Sequence, residues 1–223
     1  LLAFAVFVAG ICTHVVSRAQ STNDIASTPH NLSVSGPGTV TADSEDQVCV
    51  FCHTPHGATN SPGAPLWNRT LSNETYTTYS SSSLDAETIA GQLAQPAGSS
   101  KLCLSCHDGT LAISSVNVLA GQVDATIPIT GAGPGDTMPA GEGLQTGFTR
   151  NLGTDLSNDH PISLTYDTTL ANADGELLDP TVTAHIAIRQ PGVRPPVPLE
   201  ATGPGGAGQE QCASCHDPHV VDT

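Results

Sequence analysis

The hydrophobic and polar positions of this chain predict few regular elements. Residues 1–16 form one continuous apolar run, after which the chain turns polar. The clearest helix pattern is LDAETIAGQL at 84–93, where acidic residues in the first turn favour the helix dipole. Short apolar stretches at 164–167 and 181–188 are typical of short strands. Most of the remaining chain is expected to be irregular.

Several segments lack hydrophobic periodicity and are predicted to be turns or loops. Residues 55–65 are rich in turn-forming residues, and the hydroxyl-rich run 70–83 is expected to be exposed. Residues 120–157 contain many glycines and threonines, so we expect a loop with short extended pieces. Residues 191–198 are predicted to be extended and polyproline-like. The glycine-rich run 203–208 then leads into the last motif described below.

The composition is poor for an ordinary hydrophobic core. Aromatic residues make up 4% of the 223 residues, whereas the chain has 22 glycines and 17 prolines. Such a composition gives few long helices or sheets. An apolar centre would therefore have to come from elsewhere, and a bound group is one source.

One five-residue pattern, Cys-x-x-Cys-His, occurs at 49–53, 103–107 and 212–216. On one helical turn, positions i, i+3 and i+4 share a face. Two thiols can then form thioethers with one porphyrin while the imidazole reaches its iron, which is why this pattern is the attachment signature of c-type haem. Zinc is the competing interpretation of paired cysteines, but it requires no histidine directly after the second cysteine. The candidate attachment residues are Cys49, Cys52, Cys103, Cys106, Cys212 and Cys215.

These motifs lead to a prediction of the fold class. We expect a mostly irregular, coil-rich multihaem cytochrome c, in which a few short helices carry the motifs and three haems form the core. A capping-box pattern at 44–47 predicts that the first motif is helical, and a second helix is predicted around 102–107, closed by Asp108-Gly109. Residues 20–223 are predicted to be a single three-haem domain. Cys12 is left without a partner, which argues against a disulfide scaffold.

The segment 1–19 resembles a secretory signal peptide with a small-residue cleavage position after Ala19. If retained, it would be an anchor or part of an assembly, although about 16 apolar residues are short for a membrane-spanning helix. Covalent haem attachment takes place after export. We therefore expect an extracytoplasmic protein of the periplasm, the cell surface or the extracellular space. If the segment is retained, membrane contact is expected only through residues 1–16.

The net charge changes which partners are expected. Six Lys and Arg against 21 Asp and Glu give −15 at pH 7, so nucleic-acid binding is not expected. Redox partner proteins, basic ones in particular, or extracellular electron acceptors suit this charge, as would a divalent cation. A solvated acidic surface without a specific partner explains the charge equally well.

The axial ligands of the irons decide the function. His53, His107 and His216 are the predicted proximal ligands, one from each motif. A second histidine at each iron would make a low-potential electron carrier, whereas an open position would allow catalysis. His56 and His219 each lie in an H-x-P-H pattern, on the same side as their own motif histidine, so each is expected to reach a neighbouring haem. The candidate distal ligands are His30, His56, His160 and His219.

Four candidates exceed the three positions available. One of them is then either not a ligand or a ligand to a haem of a neighbouring subunit. The single methionine, Met138, could replace one histidine. Lys101 precedes the second motif and is an unconvincing axial substitute.

Six sequence blocks occur in a fixed order along the chain: HNLS at 30–33, CVFCHTPHG at 49–57, APLWNR at 64–69, CLSCHDGT at 103–110, NDHPISLTYD at 158–167 and CASCHDPH at 212–219. In these blocks the chain resembles a known group, the multihaem c-type cytochromes with doubled CxxCH segments found in metal-reducing and related bacteria. The resemblance implies bis-histidine haems and electron transfer in the periplasm or at the cell surface. Some similar cytochromes polymerise into extracellular filaments, in which a histidine of one subunit can ligate a haem of the next.

The leading hypothesis is an electron carrier with three haem c groups and no enzymatic activity. The alternative is a multihaem oxidoreductase of the nitrite or hydroxylamine type, which needs one five-coordinate haem. A homopolymeric filament is compatible with electron transfer and stays open.

Overall fold

The computed structural model describes residues 25–60, 64–86, 91, 93–141, 150–190 and 194–220. The predicted N-terminal segment, with Cys12 and His14, lies outside the described residues. The helices are α1 (Gly98–His107), α2 (Thr168–Asp174) and α3 (Cys212–Cys215). Short 3-10 turns lie at Pro134–Asp136 and Pro204–Gly206. Within the described ranges, no helix is long and apolar enough to cross a membrane.

Short strands pair two by two. β1 lies next to β4, and β5 next to β8, in antiparallel pairs, whereas β6 and β7 are parallel. β2 and β3 form a hairpin whose two-residue turn, Ala120 and Gly121, has φ of 47° and 83°. Such a turn requires left-handed backbone at both positions, which glycine adopts without strain. The strands are β1 (Thr41–Ala42), β2 (Ser115–Leu119), β3 (Gln122–Thr126), β4 (Ile129–Thr130), β5 (Leu164–Thr165), β6 (Ile186–Ile188), β7 (Val197–Leu199) and β8 (Gln209–Glu210).

The protein interior is divided into small hydrophobic clusters. One surrounds Phe51, which lies between the cysteines of the first motif and is fully buried. Another surrounds Leu104, which lies between the cysteines of the second motif. A third contains Leu164 and Leu170. With so few aromatic residues, the chain buries its apolar side chains in separate groups, two of which are built on the motifs themselves.

The three motifs differ in local structure, and a proline follows two of them. The second motif ends the ten-residue helix α1, which confirms the predicted helix around 102–107. The third motif has only the four-residue helix α3. The prediction of a helix at the first motif is wrong: residues 49–52 form one turn, with the His53 amide donating to the Cys49 carbonyl at 2.8 Å. Pro55 and Pro218 follow the first and third motifs, and proline disfavours helical backbone in the residue before it.

The predicted capping box at 44–47 is also wrong. The Gln47 amide donates to the Glu45 carboxylate at 2.8 Å, and the chain there is not helical. The expectation that residues 70–83 are exposed is wrong in part. Tyr76 is buried, and the Gln95 side chain bonds both its amide and its carbonyl at 2.8 Å. The hydroxyl-rich sequence gave no sign of this segment, in which the backbone groups of Tyr76 are hydrogen-bonded by the distant Gln95 side chain.

The remaining predictions have mixed outcomes. The strand at 164–167 is confirmed over Leu164–Thr165, whereas only Ile186–Ile188 of 181–188 is a strand. In the predicted helix at 84–93, residues 85–86 are helical and residue 93 is not. Residues 87–90 of that helix and 191–193 of the polyproline-like segment lie outside the described residues.

Candidate functional site

Each motif histidine faces one imidazole from elsewhere in the chain. The ring separation is nearly the same in all three pairs, which are formed by residues far apart in sequence. The pairs are His53 with His219 (ring centroids 6.3 Å apart, planes at 17°), His107 with His30 (6.1 Å, 59°) and His216 with His160 (6.2 Å, 26°).

This separation fits two axial ligands on opposite sides of one metal ion. Imidazole nitrogen binds a first-row metal at about 2.0 Å, and the ring centre lies roughly 1 Å further on, so two opposed rings have centroids about 6 Å apart. The pairs also repeat the ligand chemistry of low-spin c-type haem, in which histidine occupies both axial positions. The donor set and its spacing therefore fit the haem that the motifs imply.

The ring nitrogens are arranged so that Nε2 is available to a metal ion. Because a carbonyl oxygen only accepts hydrogen bonds, a ring whose Nδ1 contacts one carries its proton there and leaves the Nε2 lone pair available. A carboxylate acts in the same way. These Nδ1 contacts are His53 to the Pro65 carbonyl (2.9 Å), His107 to the Arg150 carbonyl (2.7 Å), His160 to the Pro161 carbonyl (3.1 Å) and His219 to the Asp217 carboxylate (3.1 Å).

A short extended pairing positions the first motif. The Asn68 amide donates to the Cys52 carbonyl at 2.9 Å, and His53 forms a bridge with Trp67, whose ring lies edge-on to the imidazole. The Asn68 side chain is fully buried and donates to the carbonyls of Val50 and Val118 at 2.6 and 2.9 Å. This amide joins the first motif to hairpin β2–β3.

The His30 loop is tied to the segment that carries His219. The buried hydroxyl of Thr28 accepts from the His30 amide at 3.2 Å and contacts the Pro218 carbonyl at 3.4 Å. His30, which pairs with His107, and His219, which pairs with His53, therefore lie on segments that are hydrogen-bonded to each other. The first and second sites are neighbours.

The second and third motifs pack against each other through the N-terminal ends of their helices. The Cys212 amide donates to the Ser100 hydroxyl at 2.9 Å, and the Ala213 amide donates to the Ser99 hydroxyl at 3.1 Å. The Cys103 thiol donates a hydrogen bond to Cys212 and thereby lowers the pKa of Cys212 to about 7. The attachment cysteines Cys103 of the second motif and Cys212 of the third therefore lie next to each other.

Burial dominates the electrostatics of the first and second sites. It raises the pKa of the Cys52 thiol to about 12 and lowers the pKa of His107. His30 is exposed, yet desolvation by the surrounding protein, together with the nearby His107, also lowers its pKa. Lowered pKa values favour neutral imidazole, which is the form that binds a metal ion.

The structure places most of the predicted site residues together. His30, His160 and His219 each face a motif histidine, whereas the fourth candidate, His56, is exposed and belongs to no described ring pair. The described cysteines form no disulfide with one another.

Sequence reasoning missed two residues beside the first motif, Trp67 and Arg69. Both belong to the APLWNR block. The arginine two residues after a tryptophan was the feature of the sequence that could have drawn attention to them. Each has a buried side-chain nitrogen without a hydrogen-bond partner, Nε1 of Trp67 and Nε of Arg69.

Comparison with known proteins adds no family. No model of a known protein family matches the chain, and no curated protein matches it. Within the described ranges, no group of three or more His, Cys, Asp or Glu side chains is arranged to hold a metal ion. A haem iron takes only two protein ligands, so the histidine pairs are the relevant arrangement.

Proposed function

We propose that this protein is an extracytoplasmic electron carrier that holds three c-type haems, each between two histidines. One observation carries the proposal: all three CxxCH histidines face a second imidazole, with ring centroids 6.1–6.3 Å apart. The motif itself does not require a second imidazole near its histidine. An iron with two axial histidines does require one at every copy of the motif.

The residues of the chain have distinct roles in this proposal. The cysteine pairs 49/52, 103/106 and 212/215 hold the haems covalently, and the bound haems supply reversible one-electron Fe(III)/Fe(II) chemistry. The motif histidines provide one axial nitrogen each. His219, His30 and His160 provide the other, at the first, second and third site respectively. The carbonyls of Pro65 and Arg150 fix the orientation of two motif rings and keep Nε2 unprotonated.

The pairing favours a carrier over the multihaem oxidoreductase. An enzyme of that kind needs an iron with a free sixth position, next to acid and base groups. Here each motif histidine has an opposing imidazole from its own chain, which supports closed sites. A discrete carrier is complete in this arrangement without a histidine from a second subunit. A homopolymer would have to rely on other contacts.

Partners and location follow from charge and chemistry. The net charge of −15 favours donors or acceptors with a basic docking surface, or extracellular electron acceptors such as oxidised metals. Because covalent haem attachment takes place after export, we place the protein in the periplasm, at the cell surface or outside the cell.

The test is production of the chain in a bacterium that attaches c-type haem, followed by intact-mass and electron paramagnetic resonance measurements. We expect three haems per chain, low-spin ferric signals only, and no carbon monoxide binding by the reduced protein. Fewer than three haems would contradict the three-site proposal. A high-spin signal with carbon monoxide binding would support the oxidoreductase instead.

A further inference from the structure

The first and third sites lie among charges of opposite sign. Building on the proposed function, we propose that the first haem site, at His53 and His219, has a higher reduction potential than the third, at His216 and His160. The cause is the charge near each site. A buried cation, Arg69, lies beside the first motif, and two carboxylates, Glu210 and Asp159, lie beside the residues of the third site.

Arg69 is held firmly in the interior. It is 2% exposed. Its guanidinium donates to the carbonyls of Ala112, Ile113 and Ser115 at 2.7–2.9 Å. These acceptors are neutral, so they satisfy hydrogen bonds without cancelling the charge. Arginine stays protonated at all ordinary pH values.

No carboxylate of the described residues forms an ion pair with this cation. In the part of the chain that the structure describes, the ion pairs involve Asp217 with Arg194 and with His219, and none involves Arg69. Its Nε is buried without a partner. Arg69 directly follows Asn68, whose amide is bonded to the Cys52 carbonyl. A full positive charge therefore lies next to the first attachment motif.

The third site has the opposite surroundings. Glu210 is half-buried in β8, and the Cys215 thiol donates to its carboxylate at 3.8 Å. Asp159 directly precedes His160, and its Oδ2 is buried without a hydrogen-bond partner. Among the described residues neither Glu210 nor Asp159 forms an ion pair, whereas Asp217, which contacts His219 of the first site, is paired with Arg194. The uncompensated charge here is negative.

The direction of the effect follows from Coulomb's law. Reduction removes one positive charge from the iron, so a nearby cation stabilises the reduced state and a nearby anion stabilises the oxidised state. Both sites have two histidines as axial ligands, so ligand identity does not give them different reduction potentials. Buried charges are screened weakly by salt, and the difference should therefore persist at physiological ionic strength.

The experiment is a spectroelectrochemical titration of the haem-loaded protein, with each haem assigned by its shifted methyl resonances. In the wild type, the first haem should be reduced before the third. Arg69→Gln should lower the potential of the first haem, and Glu210→Gln should raise that of the third. Arg69→Lys, which keeps the charge, should leave the potential of the first haem near the wild-type value. Glu176→Gln, at an exposed turn, serves as the control for loss of an acid.

The outcomes separate this proposal from the proposed function. If the wild type loads no haem, the proposed function fails first. If three haems load and the third is reduced before the first, or if neither Gln variant moves its own haem, the charge proposal is overturned. Should Arg69→Gln not fold, the wild-type order and Glu210→Gln still decide.

Discussion

The imidazole rings of His53 and His219 lie nearly parallel, with centroids 6.3 Å apart. His53 belongs to the first CxxCH motif, and His219 follows the third by three residues. The segment after the third motif therefore returns to the first motif. The helix α3 stops at Cys215, His216 has extended backbone, and Pro218, which disfavours helical backbone at Asp217, lies in a turn with His219. A continued helix would have kept His219 beside its own motif.

The pairing predicts a contrast between two histidines with the same local sequence. In the haem-loaded protein, His219→Ala should open the sixth position of one haem, with a high-spin signal and carbon monoxide binding at that haem alone. His56→Ala is the matched control, because His56 occupies the same place in H-x-P-H but is exposed. The pairing would be disproved by the reverse result, with His56→Ala opening a site and His219→Ala opening none.

The cysteines should differ in reactivity when the full chain is made without haem attachment. The hydrogen bond from Cys103 lowers the pKa of Cys212, whereas burial raises that of Cys52, so Cys212 has more of the reactive thiolate at neutral pH. Brief iodoacetamide treatment followed by peptide mass spectrometry should therefore modify Cys212 well before Cys52. The same treatment in denaturant is the control, since all cysteines should then react alike. Equal labelling under native conditions would contradict the packing of Cys103 on Cys212.

A buried hydrogen bond holds the turn that closes α1. Tyr76 donates to the Asp108 carboxylate at 2.7 Å, and both side chains are buried. Removing the hydroxyl in Tyr76→Phe leaves a buried carboxylate oxygen without this donor, which should cost about 1–3 kcal/mol of unfolding free energy. Guanidinium denaturation followed by circular dichroism measures this loss. Tyr79→Phe, at a less buried tyrosine, should change stability by less; an equal loss would mean that the Tyr76–Asp108 bond contributes nothing particular.

Phe51 anchors the first motif. It is fully buried with Ala42, Val116 and Ile127. Phe51→Ala should destabilise the protein by about 3–5 kcal/mol, because it removes apolar contacts and leaves a cavity. The neighbouring Val50→Ala, at a partly buried position, should cost clearly less in the same denaturation experiment. Similar losses in the two variants would argue against this cluster as the support of the motif.

Sequence by itself determined which residues are candidates for the site. The three CxxCH motifs name six cysteines and three histidines, because the thioether attachment proposed here requires fixed spacing on a short segment. The same local reasoning placed the helix ending at His107, where no proline interferes. It failed at the first motif, where the pairing of His53 with Trp67 and the proline at 55 prevent a helix.

Only the tertiary structure decided which histidine faces which. His30, His56, His160 and His219 look equivalent in sequence, since nothing local records a contact between distant residues. Folding brings three of them to the motifs and leaves His56 exposed. The charge around each site cannot be read from the sequence either, because it also depends on contacts between distant residues. Arg69 matters because backbone carbonyls from β2 and the preceding loop bury it without a counter-ion, and burial is a property of the folded chain.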